Sequence, residues 1–172
     1  LVEDAIAFYS SRLGIALQTQ PQVVLSILPD VQPRASQADV SRNSVIYARL
    51  YGQGWYQDGK FSTSAIETLA HETFHLWNGA LYQQSGERFE PWLSEGAARY
   101  MSHLYLTRNS PTGDLKELLA SAAKNANSCM RLLQDRSISD MTGGEAPYSC
   151  GYFLNFLIDV HARESGSDIY QF

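Results

Sequence analysis

Along the first sixty residues the apolar positions change period. Ala5, Ile6, Tyr9 and Leu13 recur at helical spacing, which predicts a helix over Val2–Leu13 stopped by Gly14. The β-branched run Gln22–Leu28 (QVVLSIL) then predicts a short strand closed by Pro29-Asp30, and the alternation in Ser44–Tyr51 (SVIYARLY) predicts a second. Between them Pro29–Asn43 is polar and reads as a loop, while Gly52, Gly54 and Gly59 mark turns around Trp55. From there the period is helical. Ser64-x-x-Glu67 fits a capping box that opens a helix over about Ala65–Tyr82, and Ser85–Glu90 is a polar loop. Pro91 stands where a first-turn proline belongs, at the head of a second helix that runs to about Leu106. Asn109–Asp114 connects to a helix over Leu115–Gln134. Asp135–Ala146 is a loop with Gly143-Gly144, and Tyr148–Ala162 is a last, strongly apolar helix. Two or three strands followed by four helices is an α+β order, with a sheet-containing part over 1–60 and a helical part over 61–172 of one domain.

A chain of 172 residues suits a single domain with a sizeable core. Its 44% hydrophobic and 12% aromatic content excludes disordered and collagen-like classes. With 13 basic against 18 acidic side chains the net charge is −5, the wrong sign for a general nucleic-acid binder. The densest apolar stretch, Tyr152–Ile158, is too short to span a membrane. The first residue is Leu, and Ser165–Phe172 reads as the start of another element, so the chain is expected to be a piece of a longer protein.

The chemistry is carried by His71-Glu72-Thr73-Phe74-His75, the HExxH pattern. On a helix, positions i and i+4 lie about 40° apart and one turn along, so both imidazoles can reach one metal ion. Zn²⁺ takes His nitrogens at about 2.0–2.1 Å and in catalytic sites keeps a position open for water. Glu72 sits beside the pair, where it can take a proton from that water. The competing reading is a chance HExxH with core-facing histidines. At about 100° per residue, Ile66, Ala70, Thr73, Trp77 and Leu81 form a stripe within about 80°, and both histidines fall roughly 120–160° from its centre. They point away from the helix's own core. A third ligand is expected in Glu95, near the start of the next helix, which a short loop could fold back onto the pair. Taken alone, Glu95 reads better as a solvated first-turn carboxylate favoured by the helix dipole; HExxH upstream turns the reading to a ligand.

HETFHLWNG followed by WLSEGAARYM resembles the gluzincin zinc metallopeptidases, in which a Glu in a W-L/F-x-E-G segment completes HExxH. The His75-Leu76-Trp77-Asn78 run is similar to the glycyl aminopeptidase branch. The WLxEG segment is similar to the aminopeptidase N-like branch, although nineteen residues separate His75 from Glu95 where that branch has eighteen. Pro147-Tyr148-Ser149-Cys150-Gly151 resembles the P-Y-x-x-G segment of the latter, whose tyrosine stabilises an oxyanion. The resemblance implies a thermolysin-like catalytic domain, with a small antiparallel or mixed sheet packed on the HExxH helix and a mainly helical half beyond. It implies one Zn²⁺ on His71, His75 and Glu95, with Glu72 as base and Tyr148 as donor, acting on a peptide or protein substrate. A packing role for Tyr148 is the alternative, with Tyr152 then the next donor along the helix. Two parts of the pattern are missing: a G-x-M-E-N segment before HExxH, and an acidic residue one or two turns after Glu95, where Arg99, Ser102 and His103 stand. A zinc- or peptide-binding module without turnover, and a zinc hydrolase of non-peptide substrates, remain as other function classes.

Cys129 and Cys150, the two thiols, fit either a bridge or a pair of buried reduced side chains. The even count and scarcity of Lys favour the bridge, and with it a periplasmic or secreted protein. Trp55 and Tyr56 could line a cleft or cap the sheet. His103 and His161 lack partners at ligand spacing and read as surface or helix-end residues.

Overall fold

The computed structural model describes residues 1–41, 43–83, 90–108, 114–134, 136–137 and 143–167, without the side chains of 79–83 and 114–115. These residues form, in order, α1 (Val2–Leu13), β1 (Gln22–Leu28), β2 (Ala35–Val40), β3 (Val45–Tyr51), β4 (Tyr56–Gln57), β5 (Lys60–Phe61), α2 (Thr63–Gln83), α3 (Pro91–Thr107), α4 (Asp114–Leu133) and α5 (Ala146–Glu164). This is a small α+β fold with a mixed sheet. β3 is its central strand, parallel to β1 and antiparallel to β2. Its alternation resolves as the pattern predicts: Ile46, Ala48 and Leu50 are buried, and Tyr47 and Arg49 face outward.

β2 corrects the reading of Pro29–Asn43 as a loop. Its sequence, ASQADV, has almost no strand propensity of its own. It is a strand because a tight turn at Ser41–Ser44, closed by Ser41 N–H to the Val45 carbonyl at 2.9 Å, folds it back onto β3 with Ala38 opposite Ala48. The glycine-rich stretch is the set of turns expected. Asp58 and Gly59, both at positive φ, link β4 to β5, as a two-residue hairpin requires. Trp55 caps the sheet: it is buried with Leu50 and Ala65, and its indole N–H donates to the Tyr51 carbonyl at 2.7 Å. Tyr56 is exposed.

α2 begins earlier than the capping-box reading placed it. Ser62, not Ser64, supplies the capping oxygen, taking the Ala65 N–H at 3.3 Å, and the Ser64 carbonyl already accepts from Thr68 inside the helix. Its buried surface is wider than the predicted stripe. Ala65, Leu69, Phe74, Leu76 and Asn78 are buried as well as Ala70, Thr73 and Trp77, whereas Ile66 is half-buried and Leu81 lies outside the described side chains. The reason is that α1, the sheet and α3 wrap α2 from different sides. Tyr9 of α1 is fully buried, donates to the Ala70 carbonyl at 3.0 Å, and meets Phe74 and Trp77 edge-on.

Pro91 is in the first turn of α3, as expected, and α5 begins at Ala146 with Pro147 in its first turn, two residues before the predicted start. The predicted loop over Ser85–Glu90 lies outside the described residues except for Glu90, and Asp135–Ala146 lies only partly within them. Cys129 of α4 and Cys150 of α5 form a disulfide, with Cα atoms 4.8 Å apart. Among the described residues, no helix is long and apolar enough to cross a membrane.

Candidate metal centre

α2 and α3 pack so that Glu95, in the second turn of α3, faces the two histidines of α2. The Glu95 Oε2 lies 3.1 Å from His71 Nε2 and 3.5 Å from His75 Nε2, and the two Nε2 atoms are 3.1 Å apart. Ligands about 2.0–2.1 Å from a tetrahedral Zn²⁺ stand about 3.4 Å from one another, so the three spacings suit one such ion. Among the described residues this is the one group of three His, Cys, Asp or Glu side chains close enough to share a cation. All three are half-buried, which leaves the cluster open on one side.

The electrostatics of the cluster follow from burial and mutual charge. Burial disfavours the charged form of His71 and lowers its pKa. At His75 burial acts the same way and is the largest single influence, but Glu95, Asn78 and Glu72 together outweigh it and the pKa is raised. At Glu95 burial alone would raise the pKa; the hydrogen bonds to both histidines hold it well below the usual carboxylate range. The ionised Glu95 and the neutral His71 are in the states a cation needs, while at His75 a cation must displace a proton. Glu72 is different. It is 8% exposed, and burial pushes its carboxyl up to about 7, with Glu95 and Asp39 adding to the rise and His75 opposing it. A carboxyl titrating near neutrality is suited to accept a proton and give it back.

Tyr148 reaches the same place from α5. Its ring stacks on His71 at 6.0 Å between centroids, near enough to Glu95 for that carboxylate to act on its hydroxyl. Burial, then the nearby Glu95, raise its pKa to about 12, so the phenol keeps its proton. Tyr152, the alternative donor, is fully buried and bonded to His103, away from the cluster. That bond also corrects the reading of His103 as a surface residue: it is half-buried against Tyr152 of α5. His161 is exposed, as expected.

Three supports were not assigned from the sequence. Asn78, buried on α2, meets His75 Nδ1 with its Oδ1 at 2.9 Å and donates its amide N–H to the Ser94 carbonyl at 2.9 Å. It thereby makes Nδ1 the protonated nitrogen, leaves Nε2 for a cation, and ties α2 to the residue before Glu95. The signal was there in the i, i+3 spacing of His75 and Asn78, but side-chain direction had to be known to use it. Arg99 pairs with Glu145, which also accepts from Ser149 at 3.0 Å, anchoring the start of α5 to α3. Finally, Gly96 and Gly151 meet where α3 crosses α5. A Cβ on Gly96 would lie 2.2 Å from Gly151 Cα, and one on Gly151 would lie 2.1 Å from the Trp92 carbonyl oxygen.

Asn78→Ala is expected to weaken metal affinity about 10–100-fold while the melting curve shows a folded protein, because the hydrogen bond that orients His75 is lost. Competition with a fluorescent zinc chelator measures it; unchanged affinity would mean His75 is oriented by packing alone. No protein-family model, curated protein or solved structure matches the chain.

Proposed function

We propose that this domain is a zinc metallopeptidase of gluzincin type, with a thermolysin-like catalytic arrangement, acting on peptides or proteins. The observation that carries the reading is the convergence of His71, His75 and Glu95 at near-tetrahedral ligand spacing, with Glu72 and Tyr148 beside them. His71 and His75 offer Nε2 atoms and Glu95 one oxygen, a donor set typical of catalytic zinc. Bound there, zinc would polarise a scissile carbonyl and make water acidic near neutral pH.

The chain's own groups supply the rest. Glu72 accepts the proton of the attacking water as its oxygen adds to the carbonyl carbon. The protonated Glu72 then gives that proton to the leaving nitrogen as the C–N bond breaks. Tyr148, its proton held at any ordinary pH, donates a hydrogen bond to the carbonyl oxygen as negative charge builds on it. The disulfide supports an extracytoplasmic setting, periplasmic or secreted.

Elemental analysis of the purified protein is expected to show about one zinc per chain, lost in His71→Ala and His75→Ala, together with zinc-dependent cleavage of an internally quenched peptide library. Full zinc in the double variant would reject the ligands. Stoichiometric zinc without cleavage of any peptide would reject the peptidase reading in favour of a binding module or another hydrolase. Tyr148→Phe is expected to lower kcat and kcat/KM about equally, by roughly 10²–10³-fold, with KM and zinc content held. An unchanged kcat would make Tyr148 a packing residue.

A further inference from the structure

Tyr148 stands in the first turn of α5, the part of a helix whose backbone N–H groups lack partners within it. A carboxylate at the N-cap ordinarily accepts one of them. Glu145 holds the N-cap position here, yet its side chain makes no capping hydrogen bond. The carboxylate is engaged elsewhere: Oε1 accepts from the Ser149 hydroxyl at 3.0 Å and forms an ion pair with Arg99 Nη1 of α3.

The spacing on both helices gives that ion pair its significance. Arg99 follows Glu95 by four residues, one turn along the same face of α3, and Tyr148 follows Glu145 by three, on the same face of α5. The pair therefore joins α3, one turn from the candidate ligand, to α5, one turn from the phenol. Beyond Tyr148, α5 is held to α3 by the Gly96–Gly151 contact and to α4 by the bridge at Cys150. Ala146 packs with that bridge and Leu133, which again ties the turn to α4. Before it, Gly143 and Gly144 are exposed, and a Cβ on either would meet nothing within 4 Å. Arg99 thus ties the N-terminal side of the turn to the helix that carries Glu95. Its side chain is 30% exposed and that of Glu145 is 55% exposed. An ion pair so open to water adds little to folding stability, so removing it should move the turn without unfolding the chain.

We infer that Arg99 and Glu145 are positioning residues, whose ion pair sets the first turn of α5 so that the Tyr148 hydroxyl meets the oxygen on which charge develops. This role rests on the peptide hydrolysis proposed above. Steady-state kinetics on the zinc-loaded chain test it. Arg99→Gln and Glu145→Gln break the pair from either side, and each is expected to lower kcat about tenfold or more, since a misplacement of about 1 Å can cost about 10²-fold. KM, zinc content and the urea midpoint are expected to hold. Arg99→Gln combined with Tyr148→Phe is expected to be no slower than Tyr148→Phe alone, because Arg99 acts only through the phenol. Wild-type kcat in both single variants, losses that multiply in the double variant, or loss of zinc or of the fold in both single variants would overturn the role. A second readout needs neither metal nor turnover. With Tyr148 replaced by 3-fluorotyrosine, the fluorine resonance of the metal-stripped chain is expected to stand away from its urea-denatured position, because the ring stacks on His71. In Arg99→Gln it is expected to move toward that position, and an unchanged resonance would overturn the role. If the wild-type chain cleaves no peptide, the peptidase reading falls, and the resonance alone decides whether Arg99 holds the ring in place.

Discussion

Glu72→Gln is expected to keep the zinc and lose turnover by at least about 10²–10⁴-fold, the range a positioned general base supplies. Glu72 does not belong to the trio of ligand atoms, so the amide leaves His71, His75 and Glu95 as they are. Peptide cleavage at the wild-type rate would remove Glu72 from the mechanism. The same variant has a second readout that needs no substrate. In the metal-stripped protein, burial holds the Glu72 carboxyl up to about 7 against an ordinary value of 4.5. Below pH 4.5 both folded and unfolded chains keep the proton. Between the two values only the folded chain keeps it, so this stabilisation is lost as pH rises through 7. Gln carries no charge to bury. Metal-stripped Glu72→Gln should therefore be more stable than wild type at pH 8, by an amount on the order of 3 kcal/mol, and nearly equal to it at pH 4. Denaturant midpoints at the two pH values test this. A variant less stable than wild type at pH 8 would mean that the ionised carboxylate is better solvated than its burial indicates.

The largest effect on the fold is expected from Gly151→Ala. The added methyl would stand 2.1 Å from the Trp92 carbonyl oxygen and 2.7 Å from Gly96 Cα, both backbone atoms that cannot rotate away. Helices α3 and α5 would have to separate. Overpacking of this kind costs about 3 kcal/mol, and more where backbone must move. Gly143→Ala is the control, because a Cβ there meets nothing within 4 Å. Urea midpoints should fall sharply for Gly151→Ala and stay within about 0.5 kcal/mol of wild type for Gly143→Ala, the usual range for a surface change. Equal midpoints would mean that the crossing tolerates a methyl. Tyr148 and Glu95 flank this crossing, so a Gly151 variant that still folds is expected to lose activity as well, through a displaced phenol.

The crossing also explains which parts of the site could be read from the sequence. His71, His75 and Glu72 were legible because one helix fixes their relation; periodicity alone puts them on one face. Glu95 could be named only as a carboxylate that a loop could fold back onto the pair, and Tyr148 came from motif resemblance, since each depends on how a separate helix docks. Both motifs end in a glycine, Gly96 and Gly151, and the two glycines touch: one residue pair lets the helices approach closely enough to bring the motifs together. No spacing within either segment encodes that contact. β2 escaped notice for a related reason, because its strand character resides in its partner β3 and not in ASQADV. The same holds for Asn78, whose two hydrogen bonds end on different helices, and for His103, half-buried against a tyrosine far along the chain.

The bridge between Cys129 and Cys150 closes a ring whose connector includes the exposed residues Gly143, Gly144 and Glu145. Tyr148 lies inside that ring, two residues from its end. A protease that nicks the connector anywhere between residues 130 and 149 would therefore not release α5: both pieces stay covalently joined and separate only on a reducing gel. Exposed loops with small residues are where such nicks concentrate. The tether thus converts what would be a lethal cut into one that keeps the two halves of the fold at high effective concentration, for as long as the surroundings stay oxidising.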